Sequence, residues 1–172
     1  MAVLQRIDFS ERELPRVQSF ACGDDIWCTV AERWIKSPPS YRGAIFSIKQ
    51  YQTSVWLYLL NNALVGFASL GYSEWENVPP DGQHRKLLFI PQLAVCSDFH
   101  GQPKEGDTFA SQILKDVLAE AKRRDTCPVG LWVDSENIKA QRFYLRHQFT
   151  FIEGDSVRFG RTFRRMLYEP TE

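Results

Sequence analysis

The sequence predicts one α/β (α+β) domain over residues 1–172, built on a mixed, mostly antiparallel sheet with helices. Three observations carry this. Two apolar runs, residues 55–60 and 64–71, flank Asn61-Asn62-Ala63. Residues 86–96 are apolar nearly throughout, as a strand covered on both faces would be. Beyond them, helical and strand-like patterns alternate toward the C-terminus. A chain of 172 residues fits a single domain and can bury a full core.

The elements follow in order. Residues 3–8 alternate weakly and predict a first strand. Residues 24–36 place Ile26, Trp27, Val30, Ala31 and Trp34 at helical spacing, with Asp24 able to cap the start. Ser37-Pro38-Pro39-Ser40 stops that helix. Residues 44–50 suit a strand or a short helix equally. The asparagines at 61 and 62 tolerate the left-handed conformations of tight turns, so the two apolar runs predict a β-hairpin. Residues 72–85 are polar and contain Pro79-Pro80-Asp81-Gly82, which predicts a loop. Within the central strand, Pro91 cannot donate a ladder bond and implies a bulge or break. Residues 98–107 form a glycine-containing loop.

Residues 108–124 are the clearest helix, with Phe109, Ile113, Leu114, Val117, Leu118 and Ala121 as its apolar stripe and Asp107 or Thr108 as N-cap. Residues 128–133 predict a short strand. Residues 135–147 predict a helix capped by Asp134 or Ser135. Residues 149–152 and 162–168 close the fold as strands.

Composition excludes several function classes. Hydrophobic content of 44% and charged content of 24% are ordinary globular values. The formal net charge is zero, so there is no case for bulk attraction to nucleic acid or membrane. The longest strongly apolar run, 55–60, is far short of the roughly 20 residues of a membrane span. Cys22, Cys28, Cys96 and Cys127 form no CxxC pair, and His84, His100 and His147 are scattered, so no metal site is expected. A cytoplasmic location with reduced thiols is the expectation. Arg158, Arg161, Arg164 and Arg165 gather near the C-terminus, either as a solvated strand face or as a contact for an anionic ligand.

Chemistry concentrates in two places. A helix start after a glycine-containing loop has free N–H groups and partial positive charge, and so suits phosphate; Thr108, Phe109, Ala110 and Ser111 would offer those amides. On the helix over 135–147, Asn137, Ala140 and Tyr144 fall within an arc of roughly 60°. One face therefore presents an amide that can grip a peptide-like ligand, a small gap, and a phenol that can give up a proton.

Set together, residues from about 87 to 152 resemble the GNAT N-acetyltransferase superfamily. The resemblance rests on a strand ending in Leu93-Ala94-Val95, a loop entering a helix with small Ala110 near its start, Asn137-x-x-Ala140 with Phe143-Tyr144, and Phe149 opening the next strand. It implies helices on both faces of the sheet and a splayed central strand pair. It implies acetyl-CoA as cosubstrate. The backbone of Leu93 and Val95, with Ala94 between them, would pair with the pantetheine arm. The amides of Thr108 to Ser111 would hold the pyrophosphate, Asn137 would hydrogen-bond the arm, and Tyr144 would protonate the departing thiolate. A carboxylate, histidine or water would take the proton of the acceptor amine, with Glu74, Glu76 and His84 as candidates by position.

The chain departs from the family pattern in the loop. Glu105-Gly106-Asp107-Thr108-Phe109-Ala110 can be aligned directly with it, putting glutamate where a basic or neutral residue is usual. Alternatively, Phe99-His100-Gly101-Gln102 is the loop start and residues 103–107 are an insertion. The second alignment is preferred, because His100 and Lys104 then supply positive charge. Glu105 and Asp107 would repel a pyrophosphate if they faced it. Gln148 replaces the glycine usual before Phe149.

The implied activity is acetyl transfer to a primary amine of a small molecule or larger acceptor. Phe20-Ala21-Cys22-Gly23 followed by Trp27 resembles a GNAT subgroup that includes toxin-type acetyltransferases of aminoacyl-tRNA, so charged tRNA is the one nucleic-acid partner considered. A non-catalytic acyl-CoA-binding module is the other alternative. Trp56, Tyr58, Tyr72 and Trp75 could line an acceptor pocket, though core packing explains Trp56 and Tyr58 equally well. The acceptor, a homodimer and the physiological role are left open by the sequence.

Overall fold

The computed structural model describes residues 3–37, 53–125 and 128–170. Residues 44–50, whose conformation the sequence leaves open, lie outside them, as does Cys127. Eight strands make a mixed, mostly antiparallel sheet. The chain divides into two compact units, Met1–Gly71 with Gln92–Glu120 and Tyr72–Pro91 with Ala121–Glu172.

In the first unit, β1 (Gln5–Asp8) pairs antiparallel with β2 (Ser54–Leu60), and β2 pairs with the start of β3 (Ala63–Val78). Asn61 and Asn62 both take positive φ, 48° and 68°, making the two-residue hairpin turn that their tolerance of left-handed backbone predicts. The short α1 (Leu14–Val17) and α2 (Ile26–Lys36) cover a core of Val17, Phe20, Cys22, Ala31, Ile35, Val55, Leu57 and Phe67. Trp34 stacks on Phe67 with 5.8 Å between ring centroids.

The cap of α2 is Asp25, whose carboxylate accepts from the Cys28 amide at 2.7 Å, rather than Asp24. The helix begins one residue later than its apolar spacing implies, and its cap moves with it. Burial raises the Cys22 thiol pKa and pushes Cys96 up to about 11, which leaves both as packing groups at neutral pH.

A strand of three residues, β5 (Leu93–Val95), lies against β3 on the side away from β2. Helix α3 (Phe109–Arg124) follows, with Phe109, Ile113, Leu114, Val117 and Ala121 buried as its stripe requires. Arg6 on β1 and Tyr58 on β2 both reach the Asp116 carboxylate of α3, at 3.0 Å and 2.8 Å. Trp56 and Tyr58 are core residues, and so is Trp75 of the second unit, so these three do not line an open acceptor pocket.

In the second unit, β3 continues through residues 72–78 and turns at residues 79–82 into β4 (Gln83–Phe89). The expected loop over 72–85 is therefore mostly strand. Its polar residues are the outward side of a ribbon that buries Trp75 and Val78, and only the Pro-Pro-Asp-Gly turn is loop.

β4 runs parallel to β6 (Val129–Asp134) over Leu88 and Phe89, and the ladder ends where the Ile90 amide donates to the Gly130 carbonyl. The expected single strand over 86–96 is thus two strands, with Ile90, Pro91 and Gln92 as the break that Pro91 implies. After β6 come α4 (Ile138–Arg146), β7 (Thr150–Arg158) and β8 (Arg161–Tyr168). β8 lies between β6 and β7, antiparallel to both. β7 extends well past the expected residue 152, with an irregularity between Ile152 and Ser156.

That irregularity has a cause in Arg165 on β8. Its buried guanidinium donates to the carbonyls of Glu76 and Glu153 and lies over the Trp75 ring. Burial lowers its pKa. Gly154, at φ +109°, leaves the space: a Cβ there would stand 2.7 Å from the guanidinium carbon.

Candidate active site

In the first unit the candidate groups lie on β5 and the loop after it. Alternate residues of an antiparallel strand turn their N–H and C=O groups to opposite edges. The Cys96 amide donates to Val65 and the Gln92 carbonyl accepts from Ser69, so residues 92, 94 and 96 face β3. Leu93 and Val95 therefore turn their backbone groups to the other edge, where no described strand pairs with them. Gly66 lets β5 come this close to β3. A Cβ there would collide with the Ala94 carbonyl and stand 3.1 Å from Ile113 of α3. Nothing in the spacing of the sequence marks Gly66.

His100 folds back on this strand, with its Nε2 2.8 Å from the Val95 carbonyl. That leaves the Leu93 N–H and C=O and the Val95 N–H without a partner among the described residues. The loop then closes on itself, because the Phe109 amide donates to the Gln102 carbonyl at 2.7 Å. Residues 103–107 are thereby an excursion whose ends meet, which agrees with reading them as an insertion.

Thr108 is the cap of α3, its Oγ1 accepting from the Ser111 amide at 3.3 Å. Of the four amides expected to meet a pyrophosphate, those of Phe109 and Ser111 are thus engaged within the protein, and those of Thr108 and Ala110 have no partner among the described residues. Asp107 is paired with Lys115 further along the helix. Its charge is compensated there. Lys104 and Glu105 are exposed at the crest of the excursion.

The second unit carries Asn137, Ala140 and Tyr144. The helix starts at Ile138, and Asn137 is itself the cap, its Oδ1 accepting from the Ala140 amide at 3.1 Å. Neither Asp134 nor Ser135 caps it. Asp134 instead accepts from the Glu136 amide at 2.9 Å and holds a tight turn before the helix. Asn137 thus does the structural task of a cap with its oxygen, and its amide nitrogen has no partner among the described residues.

The Tyr144 ring packs on Phe143 and Phe149 at 5.2 and 5.4 Å between centroids. Its hydroxyl has no hydrogen-bond partner among the described residues. Desolvation by this packing pushes its pKa up to about 12, although part of its surface stays exposed. It is a protonated phenol at neutral pH, able to donate. Gln148 stands at φ 68° just after the helix, in the conformation that explains why glycine is usual there.

The remaining candidates fall elsewhere. Glu74 and His84 face one another across the β3–β4 ribbon at 3.5 Å, both exposed, and the exposed Glu76 lends its carbonyl to Arg165. The arginine cluster is largely engaged within the protein, with Arg158 exposed. Arg161 pairs with Asp134 and Glu136, Arg158 lies over Trp132, Arg164 over Phe151, and Arg165 is buried. Among the described residues, no group of acidic, histidine or cysteine side chains could hold a metal ion, and no helix is long and apolar enough to cross a membrane. Asp134, Gln141 and Arg161, which brace the turn before α4, escape sequence reading because Asp134 and Arg161 lie far apart in the chain.

Solved structures of the same fold include Arabidopsis thaliana NAA60 in complex with a bisubstrate analogue, 16% identical over 96% of this chain and 97% of that one, with a TM-score of 0.67. Another is a mutant of the AtaT toxin bound to the C-terminus of the antitoxin AtaR and acetyl-CoA, 13% identical over 96% and 92%, TM-score 0.66. A third is a PaiA N-acetyltransferase from Thermoplasma acidophilum in complex with coenzyme A, 11% identical over 96% and 99%, TM-score 0.64. No curated protein matches the sequence. The sequence pattern of the acetyltransferase (GNAT) family matches residues 22–149, running through β5, α3, Asn137 and Tyr144, and the chain belongs to that family.

Proposed function

We propose that this chain is an acetyl-CoA-dependent N-acetyltransferase that moves an acetyl group directly to a primary amine. The observation that carries the reading is β5, a strand paired on one edge only, whose Leu93 and Val95 backbone groups turn to the open edge. Such an edge suits an extended, amide-bearing ligand, and the pantetheine arm is one. Thr108 and Ala110 amides at the start of α3 would hold the pyrophosphate, with Lys104 adding positive charge. Asn137 would donate its amide nitrogen to the arm. The family match runs through both units, which supports treating them as one acetyltransferase domain.

The reaction forms a C–N bond and breaks a C–S bond. Negative charge that develops on the carbonyl oxygen needs a donor, and the Val95 N–H is available for it. Tyr144 donates its phenolic proton to the departing thiolate. Its raised pKa keeps the phenol protonated at neutral pH. The acceptor amine loses a proton to water or to the Glu74–His84 pair. Acceptors are small amines or the amino group of a larger molecule, and a cytoplasmic setting suits this chemistry.

Isothermal titration with acetyl-CoA is the first test. Saturable binding is expected, and no heat at millimolar ligand would leave only the non-catalytic reading. If binding is seen, a broad amine screen for free-thiol release identifies the acceptor class.

A second reading is toxin-type acetylation of aminoacyl-tRNA, which the resemblance of Phe20-Ala21-Cys22-Gly23 and Trp27 implies. Two observations weigh against it: Phe20 and Cys22 of the toxin-like segment are core residues, and the C-terminal arginines are engaged within the protein. Inhibition of translation in a cell-free extract would reverse that preference.

A further inference from the structure

We propose that Asp134, Gln141 and Arg161 are positioning residues that fix the Asn137 side chain for the pantetheine arm; this rests on the acetyl-CoA reading above. The turn from Asp134 to Asn137 has almost all of its polar groups committed. The Ser135 amide donates to the Thr162 carbonyl at 2.8 Å, and the Asn137 amide to the Asp134 carbonyl at 3.0 Å. The Glu136 carbonyl accepts from Ile138 at 3.0 Å. Gln141, buried one turn into α4, donates its side-chain amide to the carbonyls of Asp134 and Ser135 at 3.0 and 2.9 Å.

The Asp134 carboxylate is only 1% exposed. One oxygen takes the Glu136 amide and the other the Arg161 Nε. The second amino group of Arg161 reaches Glu136 at 3.0 Å.

Two features make this a positioning device as well as a stabilising one. A buried ion pair is a poor source of net stability, because desolvation offsets most of its attraction, but it sets geometry sharply. A helix cap also needs only an oxygen, which Asp or Ser would supply as well as Asn. Here the oxygen of Asn137 is bound to Ala140, and its nitrogen is a side-chain donor with no partner among the described residues. With the oxygen and the backbone on both sides fixed, that nitrogen has a single direction. A ligand carbonyl arriving there meets a preset donor and has no side chain to order.

The test uses the full chain and two readouts, acetyl-CoA Kd by titration and steady-state kcat and KM with the amine found in the screen. Arg161→Gln, Asp134→Asn and Gln141→Met are each expected to raise Kd and KM for acetyl-CoA about tenfold with kcat within about twofold. In an Asn137→Ala background the same changes should move Kd by less than about twofold, since the residue they orient is gone. Arg161→Lys should recover part of the affinity. A purely structural role would instead lower the melting temperature and the active fraction, with Kd of the folded protein unchanged and effects additive with Asn137→Ala; that result overturns the proposal. If Gln141→Met does not fold, the partly exposed Arg161 variants decide the matter alone. Wild-type protein that fails to bind acetyl-CoA would remove the functional reading and this proposal together, whereas binding by wild type with unshifted variants removes only the proposal.

Discussion

The strand and loop of the first unit and the helix turn of the second are built in opposite ways. β5 leaves backbone groups of Leu93 and Val95 unpaired, and the groups it offers would be the same for almost any side chain. The turn before α4 satisfies nearly every backbone group and offers only side-chain atoms, the Asn137 nitrogen and the Tyr144 hydroxyl. A surface of the first kind tolerates substitution as long as the backbone path is kept. One of the second kind depends on residue identity.

Four experiments test this contrast. The largest effect is expected for Tyr144→Phe. Removing a general acid should lower kcat by at least about 100-fold with acetyl-CoA Kd within about twofold. Unchanged turnover would remove Tyr144 from the chemistry. Burial disfavours the phenolate, so the donor form persists, and no loss of kcat from this group is expected until the pH nears about 12. The same shift costs stability only once the unfolded phenol ionises, so stability falls as pH rises from the ordinary tyrosine pKa of 10.0 through about 12.

Gly66→Ala tests the backbone side. The added methyl meets the Ala94 carbonyl, and stability should fall by about 2–3 kcal/mol with a weakened acetyl-CoA Kd, read by chemical denaturation and titration. A neutral result would mean that β5 moves freely.

Excising residues 103–107 joins Gln102 to Thr108, whose neighbour Phe109 already bonds Gln102. Retained folding and acetyl-CoA binding weaker by about 3-fold are expected, because Lys104 leaves while the charge of Asp107 was already paired with Lys115. Unchanged or tighter binding would remove Lys104 from the pyrophosphate site.

The smallest effect is expected for Gln148→Gly, which should raise stability by about 1 kcal/mol and leave catalysis alone, since glycine takes φ 68° without strain.

Much of the frame could be read from residue pattern. The stripe of α3, the Asn61-Asn62 hairpin and the break at Pro91 each express a local rule strong enough to survive packing. The strand through residues 72–78 could not be read, because its exposed Glu74, Glu76 and Asn77 look like loop until the burial of Trp75 and Val78 is known. The start of α4 slid to Ile138 because the Asp134 turn, made with Arg161 far along the chain, consumes three residues that helical spacing would claim. The parity that points Leu93 and Val95 outward depends on pairing register, which follows from Gly66 and β3, and β5 itself has only three residues.

Arg165 and Gly154 carry a consequence for how the chain can drift. The guanidinium occupies the volume a side chain at 154 would need, so a substitution there must displace the arginine. Loss of Arg165 strands the carbonyls of Glu76 and Glu153, yet it opens that volume. The backbone at 154, at φ +109°, still disfavours an L-residue once that volume is open, so Gly154 should outlast Arg165 among descendants of this chain.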